Sequence, residues 1–153
     1  RAYARDRRRA CKRMVAEIFS PPRVVKHLSR FPNEQLVPGF SLDLTCLDPS
    51  DGKPWNFDLK AKRDKALHMV RTLKPLFLIG SPPCTHWSSW QALNVSKPGH
   101  DTEVTRRARI QALVHLRFTM MLCQEQANAG RYFIHEHPET ARSWSEECLK
   151  EVM

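Results

Sequence analysis

No apolar run in the 153 residues approaches the ~18 that a membrane-spanning helix needs, so no contact with a membrane is expected. The chain opens Arg1-Ala2-Tyr3-Ala4-Arg5 with no apolar stretch behind it, which speaks against a signal peptide. It also lacks an initiating Met, as expected for part of a longer polypeptide. There is no Cys-x-x-Cys pair. The five cysteines are odd in number and scattered, which argues against a disulfide scaffold and for a reducing, intracellular compartment, nucleus or cytoplasm. Glycine is scarce, five against eleven prolines, a low count for a nucleotide-binding fold, whose loops need close backbone approach. No internal repeat is visible.

What is abundant is positive charge, and its placement is uneven. The net charge is +9. Residues 1–30 carry ten Lys/Arg against Asp6 and Glu17, whereas residues 31–153 carry fifteen against fourteen acids. Arg5, Arg7, Arg8, Arg9, Lys12 and Arg13 form a cluster suited to the phosphates of DNA or RNA. The division expected is a basic arm over 1–13 and a single domain over 14–153. With 41% hydrophobic residues, that domain can bury a core.

Along this body apolar runs alternate with helical stripes. Strands are expected at 14–19, 40–45 (launched by Pro38-Gly39), 55–58, 76–80 and 131–136. Helices are expected after Ser20-Pro21-Pro22, over Lys60–Leu73, over Thr85–Leu93, over Thr102–Ala129 and from Thr140 onward. In the long helix, Ile110, Leu113, Val114, Phe118, Met121 and Leu122 form the expected buried stripe, with Gly130 as its C-cap. Strand–helix alternation implies an α/β fold, a Rossmann-like, doubly wound and mostly parallel sheet, here of five strands in order 3-2-1-4-5.

In such sheets ligands bind at the carboxyl ends of the strands. Reading those ends in turn gives Glu17 with Ser20-Pro21-Pro22-Arg23, then Asp43, Asp58, Ser81-Pro82-Pro83-Cys84 and His135-Glu136-His137-Pro138. Every candidate strand runs into a group that can bind or react.

Gly80-Ser81-Pro82-Pro83-Cys84, following an apolar strand, resembles the Pro-Pro-Cys loop of cytosine-5 DNA methyltransferases, enzymes of the class I S-adenosylmethionine-dependent type. Glu17-Ile18-Phe19-Ser20 resembles the first motif of that family, and Phe133-Ile134-His135-Glu136-His137 is similar to its Glu-Asn-Val strand. The resemblance spans roughly residues 14–138. A domain of protist retroelement polyproteins resembles the same string of motifs. The likeness implies S-adenosylmethionine as cofactor, held by Glu17, Phe19, Ser20, Ser81 and Pro82, with Asp43 on the ribose and Asp58 on the adenine. It implies Cys84 as a nucleophile adding to carbon 6 of a cytosine, and Glu136 as the acid at the ring nitrogen. A target base must leave the duplex to enter such a pocket, a task in which the basic arm would grip the nucleic acid.

Two other readings compete. Where the family has a glycine loop this chain has Pro21-Pro22-Arg23, which favours a catalytically degenerate nucleic-acid-binding domain. Alternatively Cys84, His86, His135 and His137, on adjacent strand ends, would form a tetrahedral zinc site. The four tryptophans offer stacking surfaces, Trp55, Trp87 and Trp90 lying nearest the candidate site.

Overall fold

The computed structural model describes residues 13–31, 35–88 and 102–153. Of the arm cluster, Arg5, Arg7, Arg8, Arg9 and Lys12 lie outside the described residues, as does Trp90. Four strands, β1 (Met14–Ile18), β2 (Val37–Leu42), β3 (Phe77–Gly80) and β4 (Tyr132–His135), form one sheet in the order β2-β1-β3-β4. All pairs are parallel. Among the described residues four α-helices accompany them: α1 (Val24–Arg30), α2 (Lys60–Leu73), α3 (Thr102–Asn128) and the short α4 (Glu147–Lys150). The protein is thus α/β with an open parallel sheet. None of the described helices is long and apolar enough to cross a membrane.

Alternation along β1 shows how the sheet is covered. Ala16 and Ile18 point into a core shared with Leu42, Leu78, Ala66 and Val70 of α2, and Phe118 and Leu122 of α3. Val15 and Glu17 point the other way and are also buried, beneath α1, which buries Val25 and Leu28. A second core lies along another face of α3, where Leu116, Met120 and Cys123 pack with Leu149 of α4 and with Phe133. Sheet and helix approach closely at Gly80. A Cβ there would lie 2.6 Å from Thr119 Cγ2, so glycine is what lets α3 cross the end of β3.

The strand order is the expected 3-2-1-4-5 without its third member. Residues 55–58 are not a strand, although Trp55 and Phe57 are each 2% exposed and sit two apart as in one. A parallel neighbour for β2 needs a crossover of a dozen or more residues, and the interval from Asp43 is too short to pack one. The chain instead doubles back, with Trp55 N–H donating to Cys46 O at 3.1 Å. β2 begins at Val37, not residue 40, because Pro38-Gly39 lie inside it; an edge strand tolerates a residue without an N–H.

The long helix is rotated from the expected stripe. Phe118 and Leu122 are buried, but Ile110 and Met121 are exposed, and Ala112, Leu116, Met120 and Cys123 take the inner face. Gly130 does follow it in the left-handed conformation, with φ of 64°. Beyond Thr140 there is a 3₁₀ turn (Arg142–Ser145) and then α4, not one helix.

Candidate functional site

The carboxyl ends of β1, β3 and β4 open into a cavity of about 290 Å³. Its lining includes Cys84 and Glu136 together with Ser20, Arg23, Ser81 and His137. The register explains the convergence: Ile18, Gly80 and His135 are neighbours across the three strands, so the residues that follow them leave the sheet side by side. Continued pairing past the strands helps, since Ser81 N–H donates to Ile18 O and Glu136 N–H to Gly80 O, both at 3.1 Å.

A second, smaller cavity of about 100 Å³ adjoins it, lined by Asp43, Asp58, Trp55, Phe57 and His115. Phe19 and Pro83 line both. Phe19 is the hinge of the site. It is a non-glycine residue at φ of 57°, a conformation costing about 1–2 kcal/mol for a side chain with a Cβ. Its N–H donates to Leu42 O at 2.9 Å, and its ring packs 4.6 Å from Phe57 and 5.1 Å from His115. Those contacts hold it where glycine would otherwise be favoured.

The loop after β1 is organised without glycine. The Glu17 carboxylate, 1% exposed, turns back beneath the start of α1. It accepts from the backbone N–H groups of Arg23, Val24 and Val25 at 2.9–3.3 Å, and from the hydroxyls of Ser20 and Ser41 at 3.2 Å. Glu17 is therefore the cap of α1, supplied from the strand, and its acceptor sites are filled from within the chain. The Ser20 hydroxyl has a second acceptor within reach, Pro21 O at 2.9 Å, between which and Glu17 its single proton is shared, so it too faces the loop.

Asp43 lies just beyond β2, and Thr45 donates to its Oδ1 through both N–H (2.9 Å) and hydroxyl (2.8 Å). Asp58 is held at Oδ1 by Gln111 and His115 of α3. The segment carrying these acids is pinned by a buried ion cluster, in which Lys62 Nζ lies 2.7 Å from Asp48 Oδ2 and 2.9 Å from Asp51, and Lys65 reaches Asp48. Burial pushes the Asp48 carboxyl up, but the hydrogen bonds from Lys62, Lys65 and Ser50 outweigh it and hold the group well below the usual carboxylate range.

The zinc arrangement is not formed. His137, buried, has both ring nitrogens engaged: Nε2–H donates to Pro82 O at 2.9 Å, and Nδ1 accepts from the Ser143 hydroxyl at 2.6 Å. His135 lies beside it on the inner face, its two nitrogens buried without a partner. Among the described residues no group of three or more His, Cys, Asp and Glu is placed to hold a metal. His137 is a strut that ties the Pro82 loop to the Arg142–Ser145 turn.

Cys84 is partly exposed and precedes a 3₁₀ turn, Thr85–Trp87, the described part of the helix expected over 85–93. Trp87 is fully buried and covered by the Arg109 guanidinium at 3.8 Å, which removes it as a surface for a base. Trp55 is packed in the core yet reaches the smaller cavity. Arg13 is tied to the sheet margin, donating to Gln35 O at 2.7 Å.

Sequence reasoning missed Gln111 and His115. The available signal was their spacing, two polar side chains one turn apart on the sheet-facing side of an otherwise apolar stripe. No protein-family model, curated protein or solved structure matches this chain.

Proposed function

We propose that this chain is a class I-type S-adenosylmethionine-dependent methyltransferase domain acting at carbon 5 of a cytosine in DNA or RNA. The observation that carries the reading is that Cys84 and Glu136 line one cavity, while Asp43 and Asp58 line the next, with Phe19 and Pro83 between them. The lining of the second cavity offers an adenosyl group an aromatic face, Phe19, and two carboxylates, Asp43 for ribose hydroxyls and Asp58 for the adenine amino group. When bound, S-adenosylmethionine supplies an electrophilic methyl group.

The protein's own part is to make carbon 5 nucleophilic. The Cys84 thiolate adds to carbon 6 of the ring. Glu136, as the carboxylic acid, donates its proton to ring nitrogen 3 and takes up the charge that addition creates. After carbon 5 is substituted, its proton passes to a water molecule, the Cys84 thiolate departs from carbon 6 to restore the aromatic ring, and Glu136 takes back its proton from ring nitrogen 3. The larger cavity has room for a pyrimidine ring, which a base stacked in a duplex can reach only by being extruded. Residues 1–13, with seven Lys/Arg, would supply phosphate contacts.

One observation favours a second reading. Glu17 and Pro21-Pro22 fill the loop where the family's cofactor approaches glycine backbone, as in a binding domain that has lost the cofactor. Thermal melting separates the two: S-adenosylmethionine at 100 times its dissociation constant stabilises a true binder by about 2.7 kcal/mol. A rise in melting temperature that is lost in Asp43→Ala supports the enzyme. No rise at millimolar cofactor, with nucleic acid still bound, supports the degenerate domain.

A further inference from the structure

Asp58 stands on a turn with no strand ladder to fix it, its N–H donating only locally, to Asn56 Oδ1 at 2.9 Å. What fixes its carboxylate comes from elsewhere in the chain. Gln111 Nε2 donates to Oδ1 at 2.5 Å, and His115 Nε2 lies 2.8 Å from the same oxygen. Donation requires His115 to carry its proton on Nε2. Two donors occupy the lone pairs of Oδ1. Among the described residues no donor reaches Oδ2. The His115 ring also packs, tilted by 51°, against Phe19 at 5.1 Å, so the clamp and the aromatic wall of the cavity are one unit.

We propose that His115, with Gln111, is a positioning residue that occupies one oxygen of Asp58 and leaves the other as a single fixed acceptor, selecting a 6-aminopurine over a 6-oxopurine nucleoside. The proposal rests on the cofactor reading above. A clamped carboxylate can accept from an exocyclic amino group but meets the lone pairs of a 6-oxo group with its own. A carboxylate free to turn can reach the adjacent ring N–H of the 6-oxopurine and loses the distinction. Burial lowers the His115 pKa, the neighbouring Asp58 offsets this in part, and Arg63 adds to the lowering, so the ring is neutral at pH 7.

The test compares S-adenosylhomocysteine with its inosine counterpart by calorimetry. Wild type should prefer the adenosine compound by about tenfold to hundredfold, the value of one hydrogen bond to a charged group. His115→Gln, which keeps a donor, should retain most of that preference. His115→Phe, which keeps the ring against Phe19, should reduce it to a few-fold by weakening only the adenosine compound. An unchanged preference in His115→Phe, or equal weakening of both compounds, would overturn the proposal. Nitrogen NMR gives a readout that needs no ligand: a proton on Nε2, and a His115 titration point that falls in Asp58→Asn. A proton on Nδ1, or an unmoved titration point, overturns the clamp itself. Wild type binding neither compound overturns the cofactor reading, and the selective role of Oδ2 with it, while the NMR result still decides the clamp.

Discussion

Glu17→Gln changes no volume and removes one charge, yet it should be among the most destabilising substitutions in the domain. In the native chain Oε2 accepts from Val25 N–H at 2.9 Å, Arg23 N–H at 3.1 Å and the Ser41 hydroxyl at 3.2 Å, while Oε1 serves Val24 and Ser20. Whichever way the new amide turns, its NH₂ faces at least one backbone N–H of the first turn of α1. The serine hydroxyls can rotate away; the amides cannot. A hydrogen bond to a charged group contributes about 1.5–3 kcal/mol, and loss of a helix cap costs about 1 kcal/mol, so the change should cost about 3 kcal/mol. For a domain of this size that is a fall of roughly 6–12 °C in melting temperature. Urea unfolding at pH 7, followed by circular dichroism, reads it directly. A loss under 1 kcal/mol together with abolished cofactor binding would refute the reasoning and make Glu17 a ligand contact rather than a cap.

Three further outcomes are expected. Gly80→Ala should destabilise by about 1–3 kcal/mol through overpacking against the Thr119 methyl, and Thr119→Ser should recover at least half of that in a double-mutant cycle by chemical denaturation. His135 is held neutral, with burial and then His137 lowering its pKa from 6.5 to about 4, so the unfolded chain takes up a proton there before the folded one does. Stability should therefore fall as pH drops from 6.5 toward 4, by up to about 3 kcal/mol from this group, and His135→Leu should flatten that slope in a pH series of melts. Asp48→Asn removes one of the two carboxylates on the buried Lys62, leaving Asp51, and takes away the acidic partner of Lys65; it should cost about 1.5–3 kcal/mol, with a shift in Trp55 fluorescence as the 43–58 segment loosens.

Elements whose limits are set by local chemistry were legible in the sequence. β1 and β3 are apolar runs ended by loop residues, and α2 runs from Lys60 to Leu73 because Lys74 turns left-handed before Pro75. The meeting of Cys84 with Glu136 was legible too, since parallel strands deliver their carboxyl ends to one side of the sheet. What failed depended on tertiary context. Trp55 and Phe57 alternate like a strand, but no crossover exists to bring them beside β2. Pro38 reads as a breaker unless β2 is known to be an edge. His137 looked like a metal ligand because nothing in the sequence reveals that Pro82 and Ser143 occupy its two nitrogens. Glu17 looked like a ligand-binding acid because its partners, the amides of α1, carry no residue signature. His115 was passed over for a similar reason, its partner Asp58 lying 57 positions away.

The most direct measurement is covalent trapping on DNA and RNA that contain 5-fluorocytosine, where fluorine at carbon 5 leaves no proton to remove and stalls the thioether to the protein. The account predicts an adduct, resolved by denaturing electrophoresis and intact mass, that forms with S-adenosylmethionine present, carries one added methyl, and is absent in Cys84→Ser. An adduct that persists in Cys84→Ser, or none from wild type that binds both cofactor and nucleic acid, would contradict it.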